Sequence, residues 1–484
     1  MGTAPGCLWL QHGGEAGWAM AVADELAKAG IHSSFACFMK EIHDFYLSHG
    51  RDSDYFSDIF ADEYALPEEE VLRLERQYGP PALDSLTASD VYLRLVYGDD
   101  PVPKRQFFAR ALKYWERYFD ARQIRIILCR DRASLLTRSA HQVAAARSEI
   151  LFVQLGVGPD DHHMALYDMG TQFSWTSLLE HLAECRDISP DRRAELDAFV
   201  ARRVPVVKTG LMHLKLQQLT LPGRIAEYLQ DRRENHILAA ANPMERGVSL
   251  LKRHLRHQRE GWKSQRRGFT YEAPQQEPYV YVPLFHTEES VHLINTRHWC
   301  RALVDLVRHI SESAPADHAV YVKEHPVILG DMTRAAMDEL KRIPKVRIID
   351  PRTQSQTLIR SAAAVVVTEG TAGWEAFLMR RPLLVVGAEP YYAHSNLVFR
   401  VRDMYELEDR LFAAIQAGTD HYRHHEADWY RFIDATLTSS FPGVIETYEY
   451  PHITDTGKSN IVNIARAVLD RFSRHQNYER QGNG

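Results

Sequence analysis

Between Tyr279 and Gly387, short β-rich runs alternate with amphipathic stretches, and that alternation leaves few folds open. Residues 279–284, 318–323, 345–350, 363–368 and 382–386 read as strands, dense in Val, Ile, Leu and Tyr. Residues 291–313, 332–341, 354–360 and 372–379 read as helices between them. Parallel strands need a crossover connection, and a helix is the usual one. The segment is therefore expected to form a parallel, doubly wound sheet with helices on its faces.

The N-terminal part repeats the theme more loosely. Residues 7–11 read as a strand, Gly13-Gly14 as a turn and 16–28 as a helix closed by Gly30. Further strands are expected at 125–129 and 150–154, with a helix at 133–145 between them. Residues 66–121 are mostly helical, broken by Pro80-Pro81, Pro101 and Pro103, and read as an insertion. Between 208 and 270 there are 13 Lys and Arg against 5 Asp and Glu, with no strand pattern, which suggests a basic helical connector. The expected division is a first α/β domain over 1–207 with its insertion at 66–121, and the connector over 208–275. A second α/β domain over 276–400 and a helical tail over 401–484 complete it.

Composition narrows the function. With 484 residues, 45% hydrophobic and 25% charged, the chain is long enough for two or three packed domains and is not a disordered or fibrous protein. A net charge of −6 argues against a nucleic-acid binder held by bulk electrostatics. Five scattered cysteines without a CxxC pair fit a reducing compartment, so a cytoplasmic location is expected. Neither a signal peptide nor a membrane span is expected. The basic connector leaves room for peripheral contact with an anionic membrane.

Ligands of open parallel sheets bind beyond the carboxyl ends of the strands, so the chemistry is sought there. Val322-Lys323-Glu324-His325-Pro326 ends a predicted strand, because Pro326 cannot continue a ladder. His325 and Lys323 are candidates to meet a phosphate or sugar oxygen; the competing reading is a packed strand-end cluster. Thr368-Glu369-Gly370-Thr371-Ala372-Gly373-Trp374-Glu375 is a strand feeding a Gly-rich turn and then a helix. Free N–H groups at the helix start suit an anion, Gly370 and Gly373 admit one close to the backbone, and Glu375 suits ribose hydroxyls. Here the competing reading is a tight turn whose glycines serve packing. Gly156-Val157-Gly158-Pro159-Asp160-Asp161-His162-His163 fails as a dinucleotide fingerprint but offers carboxylates for work at an anomeric centre. His12-Gly13 after the first strand lines either an acceptor or only a turn. Asp52-Ser53-Asp54 and the His421, His424, His425 group are set aside as metal sites, since the former has no preceding strand and the latter lacks the zincin glutamate.

Several of these pieces occur in a telling order. Tyr281-Val282-Pro283-Leu284, Glu288-Glu289-Ser290, Val322-Lys323-Glu324-His325-Pro326, Gly370-Thr371-Ala372-Gly373-Trp374-Glu375-Ala376 and Arg381-Pro382-Leu383-Leu384-Val385-Val386-Gly387 follow one another. The chain thereby resembles the capsule polysaccharide biosynthesis family, which includes bacterial capsule Kdo transferases that build a short Kdo linker on a phospholipid. The resemblance implies an α/β, GT-B-like fold: two Rossmann-like domains whose parallel sheets face a central cleft, with a helical insertion and connector. It implies that the second domain binds a nucleotide-sugar, CMP-Kdo in the first instance, and that the first takes a glycan or glycolipid acceptor. Lys323, Glu324, Pro326, Glu369, Gly370, Thr371, Gly373 and Glu375 would then bind the donor, with His325 at its phosphate. Asp168, in Tyr167-Asp168-Met169-Gly170, matches the catalytic carboxylate, and His12, Gly13, Asp160, Asp161 and Glu289 fall on the acceptor or sugar side. No cofactor or metal is implied, and a carboxylate nucleophile would give retention. The competing functions are a nucleotide-sugar epimerase and a non-catalytic donor-binding subunit of a capsule assembly or export complex.

Overall fold

The computed structural model describes residues 5–11, 16–37, 40–56, 65–78, 100–130, 135–160, 162–169, 173–184, 187–204, 271–284, 303–324, 334–351, 353–387, 389–443 and 455–482. These fall into two compact units. Among the described residues, the first unit draws on the chain up to His181 and again from Thr436, and the second on Leu182 to Ala435.

The first unit opens with β1 (Gly6–Gln11), α1 (Ala16–Lys28), β2 (His32–Cys37) and β3 (Ser53–Tyr55). It continues with α2 (Pro101–Arg122), β4 (Ile124–Cys129), α3 (Leu135–Ala145), β5 (Leu151–Val157), β6 (His163–Met169) and β7 (Phe173–Ser174). The order β5-β4-β1-β2-β3 is parallel throughout. Burial on both faces explains the continuous apolar run of β1. Cys7 and Trp9 join the core around Trp18 and Phe35, whereas Leu8 and Leu10 join the core around Phe108 and Trp115.

Two expectations need correction here. This sheet is not wholly parallel, because β6 runs antiparallel to β5, and β7 to β6. The cause is local: Gly158 N donates to His163 O at 2.8 Å, closing a tight reversal after β5. A Cβ on Gly158 would stand 2.7 Å from that oxygen, so only glycine fits. Nor is 66–121 simply inserted. α2, capped by the Asp100 side chain, is the crossover from β3 to β4 and buries Phe108, Leu112, Trp115 and Phe119 in the sheet's own core.

The second unit contains β8 (Tyr279–Pro283), α4 (Leu303–Ser313), β9 (Ala319–Lys323), β10 (Val346–Ile348), β11 (Ala364–Val367), α5 (Thr371–Leu378), β12 (Leu383–Val386), β13 (Phe399–Val401) and α6 (Leu407–Ala417). All six strands are parallel, in the order β10-β9-β8-β11-β12-β13. In strand order this is 3-2-1-4-5-6, the doubly wound arrangement, with its switch point between β8 and β11. The first unit follows the same rule, with its switch point between β1 and β4.

The segment expected as a separate tail belongs to both units. Residues through Ala435 stay with the second, while β14 (Phe441–Pro442) adds antiparallel to β6 of the first. α7 (Asp455–Gly482) then buries Ile461, Ile464, Ala465, Val468 and Phe472 in the core shared with α1. Those apolar residues recur three and four apart, as one buried helix face requires. The basic stretch 208–267 lies outside the described residues, and no described helix is long and apolar enough to cross a membrane.

Candidate functional site

The switch point of the second unit is where its parallel sheet offers a ligand space, and the sequence places charge there. β9 is buried along its length and ends at Lys323, which pairs in register with Pro283 at the end of β8. Lys323 is 3% exposed, and its ammonium donates to Pro351 O at 3.4 Å. Burial pushes it down to about 8, against the pull of the Glu375 and Asp350 carboxylates. Glu324 is equally buried and accepts from the Tyr271 hydroxyl at 3.2 Å. Glu375 is also buried, on α5. Its charge acts on Lys323 and on the buried Tyr281, whose hydroxyl donates to Ser355 Oγ at 3.5 Å. Glu375 therefore belongs to a buried charged cluster, where the sequence suggested a group open to ribose hydroxyls.

Beside this cluster, the turn from β11 into α5 divides the labour of its glycines. Gly370 has φ +96° and N-caps α5 without a side-chain bond to the helix. A Cβ there would meet nothing, so the backbone conformation alone selects glycine. Gly370 and Thr371 are exposed, and the first N–H groups of α5 carry the positive end of its dipole. Gly373 has another role. A Cβ at that position would run into the Tyr392 ring, so this glycine makes room for a side chain rather than for a phosphate. The Tyr392 hydroxyl donates to Gly370 O at 2.9 Å and pins the turn, with Glu369 close enough to act on it electrostatically. Thr368 Oγ1 is buried at the end of β11 with no hydrogen-bond partner among the described residues.

Asp350 and Tyr392 join this neighbourhood without having been named as candidates, and Tyr281 and Thr368 stood in motif runs without a role of their own. Asp350 carried a usable signal, because it ends a predicted strand, where polar groups matter. Tyr392 carried none, since only the folded turn shows what Gly373 accommodates. His325, Pro326 and Glu289 lie outside the described residues.

In the first unit, His12, Gly13 and Asp161 also lie outside the described residues. Asp168 and Asp160 sit at different levels of the sheet. Asp168 pairs in register with Val153, well inside β5, rather than at its carboxyl end. Its carboxylate takes a charge-assisted bond from Arg471 Nε at 2.9 Å and a weaker one from Thr176 N at 3.3 Å, which ties α7 to β6. Asp160 stands just beyond the carboxyl end of β5. It accepts from His163 Nδ1 at 2.7 Å and from His162 N at 2.8 Å. Burial opposes its charge, but those hydrogen bonds outweigh it and hold the carboxyl below its ordinary range. Asp52 and Asp54 both pair with Arg122, which accounts for them without a metal. No metal-holding group of three or more His, Cys, Asp or Glu occurs among the described residues.

No curated protein matches the chain. Among solved structures, it is similar to a Thermosulfurimonas dismutans KpsC, β-Kdo 2,7 transferase, at 12% identity over 74% of this chain and 89% of that one, with a TM-score of 0.34. It is also similar to a UDP-GlcNAc 2-epimerase from Neisseria meningitidis bound to UDP-GlcNAc, at 12% identity over 90% and 98%, with a TM-score of 0.25. A glycosyltransferase from Rickettsia africae matches at 8% identity over 97% and 99%, with a TM-score of 0.30. The family model described as capsule polysaccharide biosynthesis protein matches residues 203–399, which include Lys323, Gly370 and Glu375. Across that segment, which carries the switch point of the second sheet, the chain is similar to the capsule polysaccharide biosynthesis family.

Proposed function

We propose that the chain is a glycosyltransferase of capsule biosynthesis, taking a sugar from a nucleotide-sugar, CMP-Kdo in the first instance, to a polysaccharide or glycolipid acceptor. The observation that carries this reading is that the exposed N-terminus of α5 follows β11 while the buried Lys323, acted on by the charge of Glu375 in α5, ends β9 of the same sheet. In this reading the diphosphate or monophosphate of the donor lies against the N–H groups after Gly370. Lys323 and His325 balance the negative charge that grows as the leaving group departs. Those fixed donors do the electrostatic work at the phosphate, so the scheme routes no step through a metal. The buried Glu375 and the half-buried Asp350 help keep Lys323 charged despite its burial.

The acid–base role is proposed for a carboxylate of the first unit. Asp168 is the carboxylate that the sequence resemblance suggests, but its bond to Arg471 occupies it. Asp160, beyond the end of β5 and hydrogen-bonded to His163, is better placed by topology to take a proton from an acceptor hydroxyl or to attack an anomeric carbon. Asp168→Asn and Asp160→Asn separate the two.

Donor binding comes first. Purified protein is screened against CMP-, UDP- and GDP-sugars by thermal shift, since a ligand that binds only the folded state raises its apparent stability. One nucleotide class should stabilise the wild type and fail to stabilise Lys323→Met. No stabilisation by any class overturns the donor reading. An epimerase is favoured instead if the bound donor changes its sugar with no acceptor present.

A further inference from the structure

Away from the switch point, two strands along from β11, the edge strand β13 borders a cavity of about 350 Å³ lined by Phe399, Arg400, Arg402, Glu406, Arg410 and His421. Its charge is unbalanced. Arg400 is paired with Glu389, and Arg410 reaches Glu406 only at 3.8 Å. Among the described residues, the Arg402 guanidinium has no carboxylate partner. Three guanidiniums thus face two carboxylates before His421 is considered. Burial, and then the neighbouring Arg402, push Arg400 below the usual arginine range, so the cations of the pocket oppose one another.

His421 lines the same space, half-buried, with the Leu397 backbone as a hydrogen-bond partner. Its ring stands 5.2 Å from the Phe399 ring, which also lines the cavity. Guanidinium groups match phosphate oxygens in pairs, and the cavity volume exceeds that of a bare phosphate. The apolar wall at Phe399 suits the carbon skeleton of an ester.

We infer that this pocket binds a phosphate ester: Arg402 and Arg410 hold the phosphate, Arg400 and His421 complete its shell, and Phe399 flanks the esterified group. A soluble sugar phosphate and a phospholipid headgroup share that chemistry.

Two probes separate the sources. Glucose 6-phosphate is titrated into the full chain by calorimetry, with glucose at the same ionic strength as the control. Phosphatidylcholine vesicles with and without phosphatidic acid are co-sedimented with it. The expected result is binding of at least one phosphate probe and of neither neutral counterpart, weakened at least tenfold in the Arg402→Ala, Arg410→Ala double variant. The variant's response to the nucleotide-sugar that stabilises the wild type should persist, which keeps this site distinct from the donor site. Arg402→Gln alone is read if the double variant loses its fold. Binding of neither probe, or binding that these substitutions leave unchanged, overturns the inference.

Discussion

Replacing Lys323 by Met takes one buried titrating group out of the second unit and tests the physical basis of the site. Lys323 falls from an ordinary 10.5 to about 8 because burial disfavours its charged form. The unfolded chain then keeps the proton up to about 10.5 while the folded chain releases it near 8. Between those values the unfolded state binds more protons, so stability rises with pH across that window. At 1.36 kcal/mol per unit, the shift represents about 3 kcal/mol over the whole window. From pH 7 to pH 9 it contributes about 1 kcal/mol, most of it above pH 8. Urea unfolding at pH 7, 8 and 9, followed by tryptophan fluorescence, should show the wild type gaining that much relative to Lys323→Met. Glu375→Gln removes a charge that holds the proton on, so its rise should begin at lower pH than in the wild type. Parallel pH profiles for the wild type and Lys323→Met would refute the argument, because they would mean that Lys323 is neither buried nor perturbed in solution.

Three other tests follow from packing and pairing elsewhere in the two units. Gly373→Ala should cost about 1–3 kcal/mol in thermal denaturation through its collision with the Tyr392 ring, and Gly373→Ala combined with Tyr392→Leu should recover most of that; equal stability of Gly373→Ala and wild type would show the turn to be looser than described. Asp168→Asn and Arg471→Ala should each destabilise the first unit by about 1–3 kcal/mol and be strongly non-additive in a double-mutant cycle, while Asp168→Asn keeps its transfer activity under conditions where it is folded. Loss of activity with unchanged stability would return the catalytic role to Asp168. Cys7 and Cys37 are buried and their thiols are pushed up, Cys37 to about 12, so iodoacetamide at pH 8 should leave both unmodified in native protein and alkylate them in urea.

The second unit was legible because its strands are buried on both faces. The apolar runs at 364–367 and 383–386 have no polar alternation to blur them, and their expected bounds stand within about two residues of those found. In the first unit, β2 begins His32-Ser33-Ser34 and β3 is three residues long, so neither announced itself. β6 was hidden for a different reason. His163, Asp168 and the glycines before them looked like a polar loop, yet Gly156 and Gly158 are there because Tyr167 and the His163 backbone pack against them. The site divided in the same way. Lys323 and the turn at Gly370 could be found from strand ends and from a glycine before a helix. The packing role of Gly373, the Arg471 partner of Asp168 and the arginine pocket all depend on contacts far apart in sequence, such as Asp168 with Arg471, which no local pattern encodes.

Sugar transfer itself is tested most directly by following donor and acceptor together. The protein is incubated with the nucleotide-sugar that stabilises it, with and without a capsule-type glycolipid acceptor, and both are read by mass spectrometry. A transferase should yield free nucleotide and glycosylated acceptor in step, both abolished by Lys323→Met and His325→Ala. Donor recovered unchanged, or converted to an isomeric sugar nucleotide without acceptor, would contradict that assignment.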